Sequence, residues 1–293
     1  MRRTVNMNRG FFGSRDDWKL VFLIVGVATF SSVVAQLVST FSPEGTSFLI
    51  AEALGLRFYL APTGAAVVVV ALVSAELFLV LRIAVPKTRS SIIIVLVFVM
   101  LAGTTSLLVG RRLFLAYLPE AFPMMSLLLA LGVFAGFFLT FLTLIGVASN
   151  LAKNGTLTIF SITTGALIAS SFPTLPVLIT LTVLIAADFL LAYSRRTQAE
   201  EDLARDVSMT AVVTRKWMIG VGDLTTYAIL LAHSLVAKGI YLFCPMLVTV
   251  VCGVLLTMRW ATRSNVPYVP GLLLTAGPSV AILAVAWVMS SAG

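Results

Sequence analysis

Charged side chains are scarce in this sequence. Asp, Glu, Lys and Arg make up 11% of its 293 residues, against about 25% in an average globular domain. The longest polar stretch, roughly 194–216, is too short to form a soluble domain. Hydrophobic residues make up 59%, and apolar runs of about 20 residues recur along the whole chain, which is typical of a helical membrane protein. The alternating segments of about 10 residues that mark membrane β-barrels are absent.

Histidine and cysteine are also scarce. His233 is the only histidine, and the two cysteines, Cys244 and Cys252, lie on one predicted helix. Eight residues of helix separate them by about 12 Å, which is too far for a disulfide. No group of these residues has the spacing of a metal site, so we expect neither a metal nor another cofactor.

The chain begins with a basic segment, MRRTVNMNRGFFGSRDDWK, that has neither the apolar core nor the cleavage site of a signal peptide. We expect it to be a retained cytoplasmic tail. In a soluble protein the net charge of +8 would suggest a nucleic-acid partner. In a membrane protein the preference of Lys and Arg for the cytoplasmic side explains the same excess, so no nucleic-acid partner is expected.

The apolar runs predict an all-α membrane protein with nine transmembrane helices in a single domain, 1–293. Residues 1–193 would hold the first six helices, 194–215 a cytoplasmic loop and 216–293 the last three. The predicted spans are roughly 18–41, 60–85, 90–110, 123–147, 156–171, 174–193, 216–237, 239–258 and 267–289. Pro173 separates the fifth from the sixth, and one long kinked segment is the alternative there. The loop sequence TQAEEDLARDVSMTAVV is either an interfacial helix or a solvated linker.

The basic residues favour a cytoplasmic N-terminus and an outside C-terminus. With the N-terminus inside, sixteen of the 20 Lys and Arg residues lie on the inner side. The four on the outer side are Arg57, Arg111, Arg112 and Lys238. We therefore expect a multi-pass integral protein of the cell membrane, surrounded by the lipid bilayer.

Three acidic residues, Glu76, Asp188 and Asp223, lie inside predicted spans. The other nine, Asp16 and Asp17 among them, are assigned to loops or tails. An ionisable group in a span costs at least a few kcal/mol, so each of the three is a functional candidate. For Glu76 a snorkelling or hydrogen-bonded side chain is the favoured interpretation, and lining a water path or an ion path is the alternative.

Asp188 and Asp223 are predicted to lie at the same depth on neighbouring helices. Asp188 is seven residues before the basic boundary at Arg195, and Asp223 is seven residues after Lys216. At a rise of about 1.5 Å per residue, both carboxylates lie about 10 Å below the cytoplasmic surface. The two helices run antiparallel, so the side chains are expected to meet.

Two carboxylates that meet in a medium of low dielectric constant cannot both ionise easily, so the pair holds a shared proton. One member can activate a water molecule while the other protonates a peptide carbonyl, which is the chemistry of an aspartic protease. This chemistry needs no metal. The alternative is that each carboxylate is a structural polar group that is hydrogen-bonded to a neighbouring helix.

Three further features share the predicted helix of Asp223. Gly220 and Gly222, on either side of Val221, would let the helix of Asp223 pack closely or open locally, with ordinary small-residue packing as the alternative. Tyr227 is one turn beyond Asp223, where it would hydrogen-bond the carboxylate or simply pack between helices. His233 is about 15 Å along the helix from Asp223, so a surface or interhelix hydrogen bond is expected there.

The stretch PYVP contains two prolines that cannot continue a helix. Its residues are Pro267, Tyr268, Val269 and Pro270. It would form an irregular segment that receives an extended substrate by strand addition. The alternative is a simple loop at a helix start, with Pro270 near the first helical position.

These residues resemble the presenilin and signal peptide peptidase family of intramembrane aspartyl proteases, most of all its compact microbial presenilin homologues. LIAADFLLAYS, with Asp188, is similar to the first-aspartate helix of the family. IGVGDLTTYAILLAHS, with Asp223, is similar to its G-x-G-D helix, and PYVP resembles its P-A-L motif. The detailed likeness covers roughly 174–290, and earlier residues match only in span number and orientation.

The resemblance implies hydrolysis of peptide bonds within transmembrane segments of substrate proteins. It implies that Asp188 and Asp223 are catalytic, that residues 220–222 and 267–270 contact substrate, and that no cofactor takes part. The sequence departs from the family at Ala187, where Tyr is usual, and at Tyr268 and Val269 of the P-A-L motif. It also lacks a long insert after the sixth span, so we expect a single uncleaved chain. The oligomeric state stays open.

Three other functions remain as alternatives. A proton- or cation-coupled transporter or channel would use the three intramembrane acids as a path. A prepilin-peptidase-like enzyme would use the G-x-G-D aspartate to cut leader peptides at the membrane border. An idle scaffold or chaperone of membrane segments would explain the replacement of the expected Tyr by Ala187.

Overall fold

A computed structural model describes residues 15–40, 150–194, 211–213, 217–264 and 271–291. This part of the chain is nearly all helical, with one short hairpin. Its elements are α1 (Arg15–Thr40), α2 (Asn150–Ser171), α3 (Thr174–Ser194), β1 (Ala211–Val213), β2 (Met218–Gly220), α4 (Val221–Lys238), α5 (Ile240–Ser264) and α6 (Gly271–Ser291). The predicted spans 60–85, 90–110 and 123–147, together with Glu76 and the PYVP segment, lie outside the described residues.

Three of the described helices are long and apolar enough to cross a membrane. The stretches that meet this length and hydropathy are Asp17–Leu37 in α1, Ile240–Arg263 in α5 and Gly271–Ser290 in α6. Shorter apolar stretches occupy Leu157–Ser170 in α2 and Thr174–Leu190 in α3. Each of these stretches falls within a predicted span or within a few residues of one, because an uninterrupted apolar run is a strong local signal for a membrane helix.

The fifth and sixth predicted spans are separate helices. α2 ends at Ser171, and the Phe172 N–H donates to the Ile168 carbonyl at 3.2 Å. Pro173 follows and has no amide hydrogen with which to continue the helical pattern. α3 begins at Thr174. The structure thus has two helices here, interrupted at Phe172 and Pro173.

A two-stranded antiparallel hairpin precedes α4. β1 pairs with β2 so that Val212 lies opposite Ile219 and Val213 opposite Met218. Gly220 ends β2 in an extended conformation, with φ −61° and ψ 142°, and α4 begins at Val221. The predicted helical start near residue 216 is thus wrong, because the apolar residues before Gly220 pair with β1 as a strand. Residues 211–213 are likewise a strand rather than part of an interfacial helix or linker.

α4 is the central helix of the described part. All five of the other described helices contact it, and β1 packs against α2. Every residue of α4 from 226 to 234 is buried. Neighbouring elements thus enclose the middle of α4, and its more exposed residues lie at its two ends.

Two glycines let helices approach α4 and α6 closely. A Cβ at Gly165 of α2 would lie 2.5 Å from the Ala228 Cβ and 2.8 Å from the Ser31 Oγ, so α2, α4 and α1 meet there through small residues. A Cβ at Gly253 of α5 would lie 2.5 Å from the Leu274 carbonyl oxygen. Pro278, four residues after Leu274, has no amide hydrogen to offer that oxygen. Gly253 therefore allows α5 to pack closely against the Leu274 carbonyl group, which lacks its usual helical hydrogen-bond donor because residue 278 is proline.

Asp17 was assigned to the N-terminal tail, and the structure corrects this. It lies in the first turn of α1 with only 5% of its surface exposed. The indole N–H of Trp217 donates to its Oδ1 at 2.8 Å. This bond joins Asp17 to a residue 200 positions away, which no local pattern near residue 17 indicates.

Candidate functional site

Asp188 of α3 and Asp223 of α4 converge on the N-terminus of α6. The Leu272 N–H donates to Oδ2 of Asp188 at 2.9 Å. A Cβ built on the preceding residue, Gly271, would lie only 2.8 Å from Oδ2 of Asp223. The two carboxyl groups therefore contact successive residues at the start of one helix. A helix N-terminus carries unpaired N–H groups and a partial positive charge, both of which favour carboxylates at this position.

The two carboxyl groups differ in their surroundings. Asp188 is 6% exposed and accepts the Leu272 N–H, whereas Asp223 is half-buried. They lie close enough for the charge of Asp188 to act on Asp223. The arrangement thus holds one carboxyl group in a buried hydrogen bond and leaves the other more accessible to a reactant.

Tyr227 and Thr275 extend the site along α4 and α6. The hydroxyl groups of Tyr227 and Thr275 form a buried hydrogen bond of 3.0 Å. The Thr275 hydroxyl also lies 2.6 Å from the Gly271 carbonyl oxygen. The Tyr227 hydroxyl therefore has Thr275 as its partner, in place of the expected bond to Asp223. It remains beside the aspartates, since a Cβ at Gly271 would lie 3.7 Å from it.

The two glycines before Asp223 occupy different environments. Gly220 is the extended residue that ends β2, and a Cβ there would lie 3.9 Å from the Asp223 carboxyl group, an ordinary contact. Gly222 is exposed in the first turn of α4, and a Cβ there would meet no described atom within 4 Å. Among the described residues, close packing therefore does not explain Gly222, while Gly220 supplies the turn from strand to helix.

A second polar contact fixes the first turn of α4 from the side of α2. The Val221 carbonyl oxygen accepts the Thr225 hydroxyl at 2.8 Å and lies 3.5 Å from the Ser161 Oγ. Thr225 Oγ1 and Ser161 Oγ are 3.3 Å apart. Ser161 is fully buried. Since Val221 is two residues before Asp223, these bonds limit how far the start of α4 can move.

His233 lies away from the aspartates, at the corner between α2 and α3. Its Nδ1 is 3.2 Å from the Ala169 carbonyl oxygen and its Nε2 is 3.1 Å from the Thr174 Oγ1. It is 3% exposed. The expected interhelix hydrogen bond is confirmed, and it joins the end of α2 to the start of α3 across α4.

No group of three or more His, Cys, Asp or Glu side chains in the described ranges is placed to hold a metal ion. Cys244 and Cys252 are exposed on α5 as free thiols. What the described site offers chemically is a pair of carboxyl groups, a phenol and a helix N-terminus. These groups can bind and activate a water molecule and can transfer protons.

Sequence reasoning missed three contributors to this site: Gly271, Leu272 and Thr275. Leu272 contributes only its backbone N–H, which no side-chain pattern reveals. Gly271 and Thr275 are four residues apart and therefore share one face of α6. That spacing, directly after the PYVP segment, is the one signal that would have indicated them. Pro267, Tyr268, Val269 and Pro270 themselves lie outside the described ranges.

No protein-family profile matches this chain, and no curated protein is significantly similar to it.

Proposed function

We propose that the protein is an intramembrane aspartyl protease that hydrolyses peptide bonds within transmembrane segments of other proteins. The observation that carries the proposal is the convergence of Asp188 and Asp223, from two different helices, on the first residues of α6. The likeness of the two aspartate helices and of PYVP to the presenilin and signal peptide peptidase family supports the same function.

The chemistry follows from the pair of carboxyl groups. An ionised carboxylate removes a proton from water while the water oxygen attacks the carbonyl carbon of the substrate. The protonated partner gives its proton to the carbonyl oxygen, which forms a gem-diol. As the gem-diol collapses and the C–N bond breaks, the carboxyl group that took the water proton gives it to the amide nitrogen. The other carboxylate removes a proton from one hydroxyl group of the gem-diol. No acyl-enzyme forms, and the pair recovers its single shared proton.

The substrate must be extended where it is cut, because a helix hides its carbonyl groups in hydrogen bonds. Strand β2 is already extended and leads directly to the turn of Asp223. An unwound substrate segment can pair with backbone groups of such a strand and gain hydrogen bonds that the membrane does not supply. We therefore infer that a substrate helix enters laterally from the bilayer, unwinds near the inner side and lies along β2, with PYVP as a second contact.

Cleavage of a single-span reporter by the purified protein in detergent tests the proposal. Asp188→Asn and Asp223→Asn keep the shape of each side chain and remove its acid–base function. Asp206→Ala, in the predicted loop, is a matched control for loss of one acidic residue. Each variant is checked for folding by size-exclusion chromatography and circular dichroism.

We expect both Asn variants to lose at least about 1,000-fold in rate, because a dyad needs both members, while Asp206→Ala cleaves like wild type. Product that persists in both Asn variants would show that a contaminating protease makes it, and a wild-type protein inactive on a panel of reporters would contradict the proposal.

The transporter alternative predicts a different result. Acids that conduct protons would be spread through the depth of the membrane, whereas Asp188 and Asp223 meet at one helix end. Charge movement in proteoliposomes that survives Asp223→Asn, together with an absence of cleavage, would favour the transporter. Cleavage of leader peptides in preference to transmembrane reporters would favour the prepilin-peptidase-like enzyme.

A further inference from the structure

The start of α1 carries a buried carboxylate that the proposed reaction does not use. Asp17 is 5% exposed, and its Oδ1 accepts the indole N–H of Trp217 at 2.8 Å. A hydrogen bond to a charged group is shorter and about twice as strong as one between neutral groups. Burying a carboxyl group is costly unless it is hydrogen-bonded, so the bond from Trp217 offsets part of the cost of enclosing Asp17.

Trp217 is placed directly before the segment that leads to Asp223. It immediately precedes β2, which occupies Met218–Gly220, and Asp223 lies in the first turn of α4 that follows. No loop interrupts this path. A displacement of Trp217 is therefore passed along one extended strand to the turn that carries the aspartate.

The hairpin and α1 also share one buried apolar cluster. Val212 of β1 and Ile219 of β2 are 2% and 8% exposed, and both belong to the same buried cluster as Leu20, Val21 and Ile24. Trp217 packs against this cluster as well. Apolar contacts are not directional, so this shared cluster does not by itself fix how the hairpin lies relative to α1. The hydrogen bond from Trp217 is directional, and it adds to the register that pairing with β1 sets for β2.

We propose that Asp17 is a positioning residue, which holds Trp217 so that β2 keeps the register that places Asp223 beside Gly271. This role rests on the proposed function, because it gives Asp17 an effect on which bond of the substrate is cut. A slip of β2 by one residue moves it by about 3.3 Å. It would also turn its side chains to the opposite face and shift any substrate strand that pairs with it.

The first test needs no catalytic activity. Hydrogen–deuterium exchange of the peptide covering 217–223 is measured in detergent for wild type, Asp17→Ala, Asp17→Asn and Trp217→Phe. Asp17→Asn retains an Oδ1 acceptor, whereas Asp17→Ala removes it and Trp217→Phe removes the donor. Trp18→Phe is the matched control, since Trp18 is next to Asp17 but 48% exposed.

We expect exchange in this peptide to rise about tenfold in Asp17→Ala and Trp217→Phe. Asp17→Asn and Trp18→Phe should stay near wild type. The double variant Asp17→Ala with Trp217→Phe should exchange no faster than either single variant, because both remove the same bond. Unchanged exchange in Trp217→Phe, with Asp17→Ala also unchanged or unfolded, would overturn the proposal.

The second test reads the position of the cut by mass spectrometry of the reporter products. We expect Asp17→Ala and Trp217→Phe to lower kcat about tenfold, to leave KM near wild type and to spread cleavage over neighbouring bonds. A role limited to stability would reduce the amount of active protein and leave one cleavage position. A single unchanged position in both variants would overturn the positioning role, whereas inactivity of wild type would count against the protease alone.

Discussion

The Gly271→Ala variant tests whether the proposed activity requires the close approach between the start of α6 and the two aspartates. The added Cβ would lie 2.8 Å from Oδ2 of Asp223, 3.5 Å from its Cγ and 3.7 Å from the Tyr227 hydroxyl oxygen. The first distance is shorter than carbon and oxygen atoms tolerate without a bond. Either the Asp223 side chain rotates away or the start of α6 shifts, and each response separates Asp223 from the helix N-terminus.

The expected magnitude follows from these contacts. Overpacking a tight site costs typically 1–3 kcal/mol, as an order of magnitude, and alanine recovers up to about 1 kcal/mol of helix propensity over glycine. We therefore expect a net loss of roughly 0–3 kcal/mol in unfolding free energy. Displacing a catalytic group by about 1 Å costs around 100-fold in rate, which corresponds to ~2.7 kcal/mol of activation free energy.

Gly277→Ala is the matched control for Gly271→Ala. Gly277 lies on the same helix, and a Cβ there would meet no described atom within 4 Å. We expect this variant to cleave the reporter at the wild-type rate and to be as stable as wild type or slightly more stable. Both variants are compared by kcat on the reporter and by thermal unfolding in one detergent. Equal kcat for the two would refute the reasoning about Gly271.

Four further outcomes follow from the described contacts. Gly253→Ala should lower the unfolding free energy by about 1–3 kcal/mol, seen as a lower Tm, because the new Cβ would lie 2.5 Å from the backbone at Thr275; a Tm at the wild-type value would contradict this. Tyr227→Phe should reduce kcat about tenfold through loss of the bond to Thr275, and an unchanged kcat would limit Tyr227 to packing. His233→Ala should lower the unfolding free energy by about 1–3 kcal/mol through two lost interhelix bonds while leaving the cleavage position unchanged, since His233 is far from the aspartates. The cleavage rate should follow a bell-shaped pH profile, because activity needs one charged and one protonated carboxyl group; a flat profile from about pH 4 to 9 would contradict a shared proton.

Helix positions were largely predictable because apolar runs are local signals. The ends of α1, α3 and α6 fall within four residues of the predicted spans for this reason, whereas α5 continues six residues past its predicted end. The start of α4 was not predictable, since Met218 and Ile219 are as apolar as a helix start would be. Their strand conformation depends on pairing with β1.

The residues of the candidate site also divide into those that a local sequence signal predicts and those that depend on tertiary contacts. Asp188 and Asp223 stand out in the sequence because acids are rare in apolar spans. Gly271 and Thr275 look like ordinary small residues of a membrane helix, and their contacts exist only after α6 docks against α3 and α4. Asp17 lies among charged residues next to an apolar run, so its burial by Trp217 could not be read from its neighbours.

The central position of α4 also has a consequence for biogenesis. Its partners include α1 and α6, at opposite ends of the described sequence, and the bond between Asp17 and Trp217 spans 200 residues. At about 5–20 residues per second, translation takes roughly 10–40 seconds to cover that distance. α1 is made this long before its hairpin, and a further 48 residues separate Asp223 from Gly271. The proposed pair of catalytic carboxyl groups therefore lacks its contact with the start of α6 until that helix has been synthesised.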